Sequence, residues 1–229
     1  MKTIGLIGGL TWHSSVDYYR YMNQLAGERR GGEHAARMIL NSVDFGEIKK
    51  LTLADDWQGI ADLIGQVARQ TEMAGADCIL LGANTMHVVA EHVQDMLQVP
   101  LLHIADAVSE AIRSAGLGTV GLLGTRYTML SDFYNKKLAA KGIRVLIPDE
   151  EGIAQINQSI YTELDKGIIR DETRKTFQAV ISRMVGKGAE GVILGCTEIP
   201  LLISPRDCEV PVFDSTWLHA KAAVDFALS

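Results

Sequence analysis

Short aliphatic runs alternate with longer stretches in which apolar residues recur at helical spacing. Strands are expected at about 3–7, 37–41, 78–82, 100–103, 119–123, 144–147, 191–195 and 211–213. Helices are expected at about 14–29, 55–73, 86–96, 106–115, 128–140, 151–165, 171–186 and 216–227. Continuous apolar strands separated by helices are the mark of parallel sheets covered on both faces. The pattern therefore predicts a doubly wound α/β fold, in which ligands sit beyond the carboxyl ends of the strands.

The pattern also occurs twice. GADCILLGANT (75–85) and GAEGVILGCTE (188–198) share a Gly-Ala-led start, an aliphatic run and a closing glycine. KTIGLIGG (2–9) resembles GTVGLLGT (118–125), and VPLLHIADA (99–107) resembles VPVFDSTWLHA (210–220). Lys2 to Gly118, Ala83 to Cys196 and Val99 to Val210 are offsets of 116, 113 and 111 residues. Offsets this similar fit a duplicated unit with small loop changes. They predict two pseudo-symmetric parallel-sheet α/β lobes with a cleft between them. The first lobe is expected over 1–100 plus 211–229 and the second over 101–210.

Composition narrows the partners. A net charge of −6 argues against a nucleic-acid partner, which would want a basic face, and leaves small anions open. No apolar run reaches the length of a membrane span, and MKTIGLIGGL reads as a buried strand rather than a signal peptide. Cys78, Cys196 and Cys208 show neither disulfide-framework nor zinc spacing, so a reducing cytoplasm is the expected location.

The two matched strand ends carry the candidate chemistry. Gly82-Ala83-Asn84-Thr85 and Gly195-Cys196-Thr197-Glu198 each close an aliphatic strand. Outward-pointing amides there favour negative charge, lower a cysteine pKa and seat a carboxylate, with Asn84, Thr85 and Thr197 as added donors. A free cysteine is more often a small buried apolar residue, which suits Cys78. The strand-end position and the polar run behind it favour function for Cys196. Gly8-Gly9 lacks the spacing of a dinucleotide loop. It is either a close approach to a small ligand, with Thr11 and Ser14 in contact, or a turn capped by Ser14 or Ser15. Thr125 and Thr128 either cap a helix or hold an anion. Lys166 is read first as a charge at a helix end and second as a group reaching a carboxylate. His87, His103 and His219 are read as separate helix-face or core residues.

GLIGGLTWHSS, SVDF, ANTMH, LHIADA, LLGTRYT, LGCTEI and FDSTWLHA together resemble the aspartate/glutamate racemase family across essentially the whole chain. The resemblance implies two pseudo-symmetric α/β lobes with the active site in the cleft between them, a homodimer and a dicarboxylic amino acid as substrate. It implies no cofactor and no metal: one cysteine thiolate removes the α-proton and a second cysteine returns one to the other face. Carried onto this chain, Cys196 is one acid/base. Asn84, Thr85, Thr125 and Thr197 would hold the α-carboxylate, with Thr11 and Lys166 near the side-chain carboxylate. The chain departs from the family at Ala83, where the other cysteine is expected. Three readings follow: a Cys-to-Ala change, a natural single-cysteine racemase, or a single-cysteine decarboxylase or carboxylate-binding protein on the same scaffold.

Overall fold

A computed structural model describes residues 1–229. The chain runs β1 (Ile4–Gly8), α1 (Trp12–Arg30), β2 (Met38–Ser42), α2 (Phe45–Leu53), α3 (Trp57–Met73), β3 (Cys78–Leu81), a 3-10 turn (Thr85–Val89) and α4 (Ala90–Asp95). It continues through α5 (Ile104–Ser114), β4 (Thr119–Gly124), α6 (Arg126–Leu130), α7 (Asp132–Ala139), β5 (Arg144–Leu146), α8 (Glu150–Thr162) and a 3-10 turn (Leu164–Lys166). Then come α9 (Asp171–Gly186), β6 (Val192–Gly195), α10 (Ile199–Leu202), a 3-10 turn (Pro205–Asp207), β7 (Val212–Asp214) and α11 (Ser215–Leu228). Two compact units result: Met1–Ile104 with His219–Ser229, and Ala105–Leu218.

The first unit is built on a parallel sheet in the order β2-β1-β3. β1 and β3 are buried along their whole length, and their side chains alternate between two cores. Ile4, Leu6, Cys78 and Leu80 pack with Tyr18 and Met22 of α1 and with Ala220, Ala223 and Val224 of α11. Ile7, Ile79 and Leu81 pack on the other face with Ile60 and Ile64 of α3 and Val93 of α4. Cys78 is thus an inert core residue, and its burial pushes the thiol up to about 12.

The second unit has a parallel sheet in the order β5-β4-β6-β7. Its core joins Leu123 and Leu194 to Ile153, Ile156 and Ile160 of α8 and to Phe177, Val180 and Met184 of α9.

The structure corrects several sequence expectations. Residues 100–103 are not a strand: only the bridge Ile79–Leu101 forms, because the Leu102 carbonyl accepts from the side chain of His219 at 2.6 Å instead of continuing the ladder. Val212–Asp214 pairs with β6, so 211–214 sit in the second sheet rather than with the first lobe. The helix expected over 128–140 is broken at Ser131, whose extended ψ of 148° separates α6 from α7. α2 was not anticipated, although Asp44 caps it by accepting from the Gly46 amide, with Glu47 in its first turn.

Candidate functional site

Each unit presents one strand end, and the two ends share a backbone device. A Cβ on Gly82 would lie 2.9 Å from the Ile7 carbonyl oxygen, and one on Gly195 would lie 2.8 Å from that of Leu123. Only glycine lets the outgoing chain pass so close to the neighbouring strand. The residue after each glycine, Ala83 or Cys196, is the first free to project.

In the first unit, Ala83 packs partly buried against the sheet core. Asn84 is buried, and Thr85 opens the 3-10 turn. The Gly8-Gly9 loop is a capped turn: the Gly9 amide donates to Ser15 Oγ at 2.9 Å. The Ser14 hydroxyl lies 2.8 Å from the carbonyls of both Thr11 and Gly82, so it ties this loop to the end of β3. Thr11 is the residue before α1, and its hydroxyl donates to Ser14 at 3.3 Å. Thr11, Ala83, Asn84 and Thr85 therefore belong to one hydrogen-bonded corner of this unit.

In the second unit, the Cys196 thiol donates to Glu198 Oε2 at 2.8 Å. The Thr197 hydroxyl donates to the same oxygen, also at 2.8 Å. Glu198 is itself buried. The expected lowering of the cysteine pKa does not occur. Desolvation, followed by the Glu198 carboxylate, drives the thiol well above its ordinary value and outweighs the Glu198 backbone amide, which pulls the other way. The following helix α10 is only four residues long, so little helix dipole opposes this. Cys196 thus stands as a protonated thiol beside a carboxylate.

Beside this pair, partial desolvation, followed by neighbouring acidic groups that include Asp165 and Glu198, pushes the Tyr161 phenol up to about 12. Thr125 caps α6: its hydroxyl accepts from the Thr128 amide at 3.2 Å and lies 3.1 Å from the Thr128 hydroxyl. Lys166 is exposed at the end of its 3-10 turn, followed by Gly167 in the left-handed region at φ 70°. A cavity of about 200 Å³ in this unit, lined by Leu122, Met129, Asp132 and Val145 among others, includes none of these residues.

Sequence reasoning missed Glu198 as the thiol's partner; the signal was an acid two residues after the cysteine. It also missed that His87, His103 and His219 form one cluster, since residues so far apart in the chain meet only through the fold. No group of three or more His, Cys, Asp or Glu side chains is arranged to hold a metal ion. No helix is long and apolar enough to cross a membrane.

Residues 7–223 match the family model described as Asp/Glu/Hydantoin racemase. The broad specificity amino-acid racemase RacX of Bacillus subtilis is 30% identical over 162 residues, covering 71% of this chain and 70% of that protein. Two crystal structures superpose over the full length of both chains. A Yersinia pestis protein assigned to the Asp/Glu racemases has a TM-score of 0.95 at 46% identity. An aspartate racemase homologue from Pyrococcus horikoshii has a TM-score of 0.90 at 36% identity.

Proposed function

Because the chain belongs to the Asp/Glu/hydantoin racemase family and is an isomerase of the amino-acid racemase kind, we propose that it moves the α-proton of a dicarboxylic amino acid, aspartate or glutamate, through Cys196 and without a cofactor. The observation that carries this reading is the 2.8 Å contact from the Cys196 thiol to the buried Glu198 carboxylate. As an acid, the thiol gives its proton to the α-carbon, and the electron pair of the enediolate becomes the new C–H bond. As a base, Cys196 first passes its proton to Glu198 Oε2. The thiolate then takes the α-proton, and the C–H electron pair moves into the α-carboxylate. Asn84, Thr85, Thr125 and Thr197 supply donors for the α-carboxylate, where negative charge grows during the reaction. Thr11 and the exposed ammonium of Lys166 serve the side-chain carboxylate.

Ala83 takes no part in proton exchange, since a methyl group has no labile proton. That position supports a second reading: a single protonated thiol suits a decarboxylase, in which one proton is delivered to the enediolate left when carbon dioxide departs. Proton NMR of L- and D-aspartate and L- and D-glutamate in heavy water, with chiral analysis of the product, separates the two. Loss of the α-proton signal from any of the four supports the racemase reading. Four inert amino acids, together with carbon dioxide release from a substituted malonate, would replace it with the second.

A further inference from the structure

Behind Ala83 the first unit buries three imidazoles and a phenol. His87, His103, His219 and Tyr18 are 2%, 9%, 0% and 0% exposed. The His87 ring centroid lies 4.7 Å from that of His103 and 5.4 Å from that of His219, both edge-on. Hydrogen bonding fixes two tautomers. A carbonyl oxygen only accepts, so His219 Nε2, 2.6 Å from the Leu102 carbonyl, carries the proton. His219 Nδ1 then accepts from the Tyr18 hydroxyl at 2.7 Å. By the same reasoning His87 Nδ1, 2.9 Å from the Ala83 carbonyl and 3.3 Å from that of Asn84, is the protonated nitrogen. Burial, followed by the two neighbouring histidines, holds His87 well below the ordinary imidazole range and keeps the ring neutral.

The Leu102 carbonyl lies on the segment where the shorter sheet stops, and the Ala83 carbonyl lies just past the end of β3. In the second unit the fourth strand β7 continues the ladder, and the Ser215 hydroxyl satisfies the Leu194 carbonyl at 2.7 Å. In the first unit the matching segment forms a single bridge, and imidazole N–H groups take the carbonyls of Leu102 and Ala83 instead. An apolar core would pack here without the desolvation of three polar rings, but it would leave those carbonyls unsatisfied.

We propose that His87 is a positioning residue. Its Nδ1–H, aimed by the buried histidine cluster, clamps the Ala83 and Asn84 carbonyls, so that the 83–85 corner keeps a single orientation toward a substrate carboxylate. The carboxylate part of this inference rests on the racemase reading above; the clamping of the corner does not.

Two variants and one spectrum test it. His87→Asn keeps a side-chain N–H where ring Nδ1–H sits, whereas His87→Leu removes it. Loss of one such bond corresponds to about tenfold. His87→Leu is therefore expected to speed amide hydrogen exchange at 84–87 and to raise KM for α-proton exchange by about that factor, and His87→Asn to restore both to within about threefold. Equal impairment of the two variants, or an unaltered Leu variant, overturns the proposal. Should the Leu variant fail to fold, nitrogen-15 spectra of the unaltered protein decide. A neutral His87 ring protonated at Nδ1 at pH 7 supports the clamp; the Nε2–H tautomer or an imidazolium sinks it. If the protein proves inert toward all amino acids, the racemase reading fails, and the exchange rates at 84–87 still decide whether His87 holds the corner.

Discussion

The two strand ends use the same backbone geometry for opposite chemistry. Gly82 and Gly195 each bring the outgoing chain against a neighbouring carbonyl, at 2.9 and 2.8 Å from a hypothetical Cβ. At Cys196, desolvation and then the buried Glu198 carboxylate keep the thiol protonated. Behind Ala83 stand the neutral imidazoles of His87 and His219, whose protons are spent on main-chain carbonyls. Duplication of a unit reproduces the turn, because the turn follows from strand pairing and a glycine. What the turn presents is set by a handful of side chains that the pairing does not constrain.

The largest expected effect comes from exchanging the two projecting residues. Cys196→Ala should cut α-proton exchange on the order of 10²–10⁴-fold, the contribution of one general acid/base. Ala83→Cys should raise racemisation on the order of 10²-fold. Heavy-water NMR measures both. An unchanged rate in the first variant would remove Cys196 from the chemistry, and no gain in the second would mean that position 83 does not face the reacting carbon.

A smaller effect tests the shared backbone. Gly82→Ala and Gly195→Ala each push a methyl against a main-chain oxygen, and each should destabilise its unit by about 3 kcal/mol. Urea unfolding followed by a probe in each unit would show it. Markedly unequal losses would break the equivalence of the two turns.

The smallest effect separates the imidazoles from the carboxylate by pH. Burial lowers the His219 pKa to about 3. Its folded value lies below the unfolded one, so its contribution is complete above about pH 6.5 and falls as acid protonates the unfolded chain first. By pH 5 the loss from His219 should be on the order of 2 kcal/mol. Melting curves of the protein and of His219→Gln, which keeps an N–H near Nε2, should differ in this acid dependence. Identical curves would show that His219 carries no such linkage.

Where an element was legible, the reason was periodicity. The unbroken apolar runs at 78–81 and 192–194 announced strands covered on both faces, and the repeated glycine after each announced paired ends. The site was legible only where the chemistry is local. Cys196 and Thr197 stand next to each other in sequence, and Glu198 could have been assigned from its place two residues after the thiol. His219 could not, because only the approach of α11 to Leu102 brings it to His87. The segment 100–103 misled for a related reason: its residues suit a strand, but a side chain from 117 residues away takes the carbonyl that a ladder would have used.

The first unit is discontinuous: it takes Met1–Ile104 and then His219–Ser229. The Lys2 amide donates to the Ala227 carbonyl at 2.8 Å, and Ala220, Ala223, Val224 and Ala227 complete one of its two cores. On the ribosome, 105–218 emerges as one uninterrupted stretch before the residues that finish the earlier unit. Until then, one face of the first sheet is covered by α1 alone and the Leu102 carbonyl lacks its imidazole. The corner at Ala83 is therefore framed only once residues 219–229 have emerged, so its maturation waits on a segment made long after its own strand.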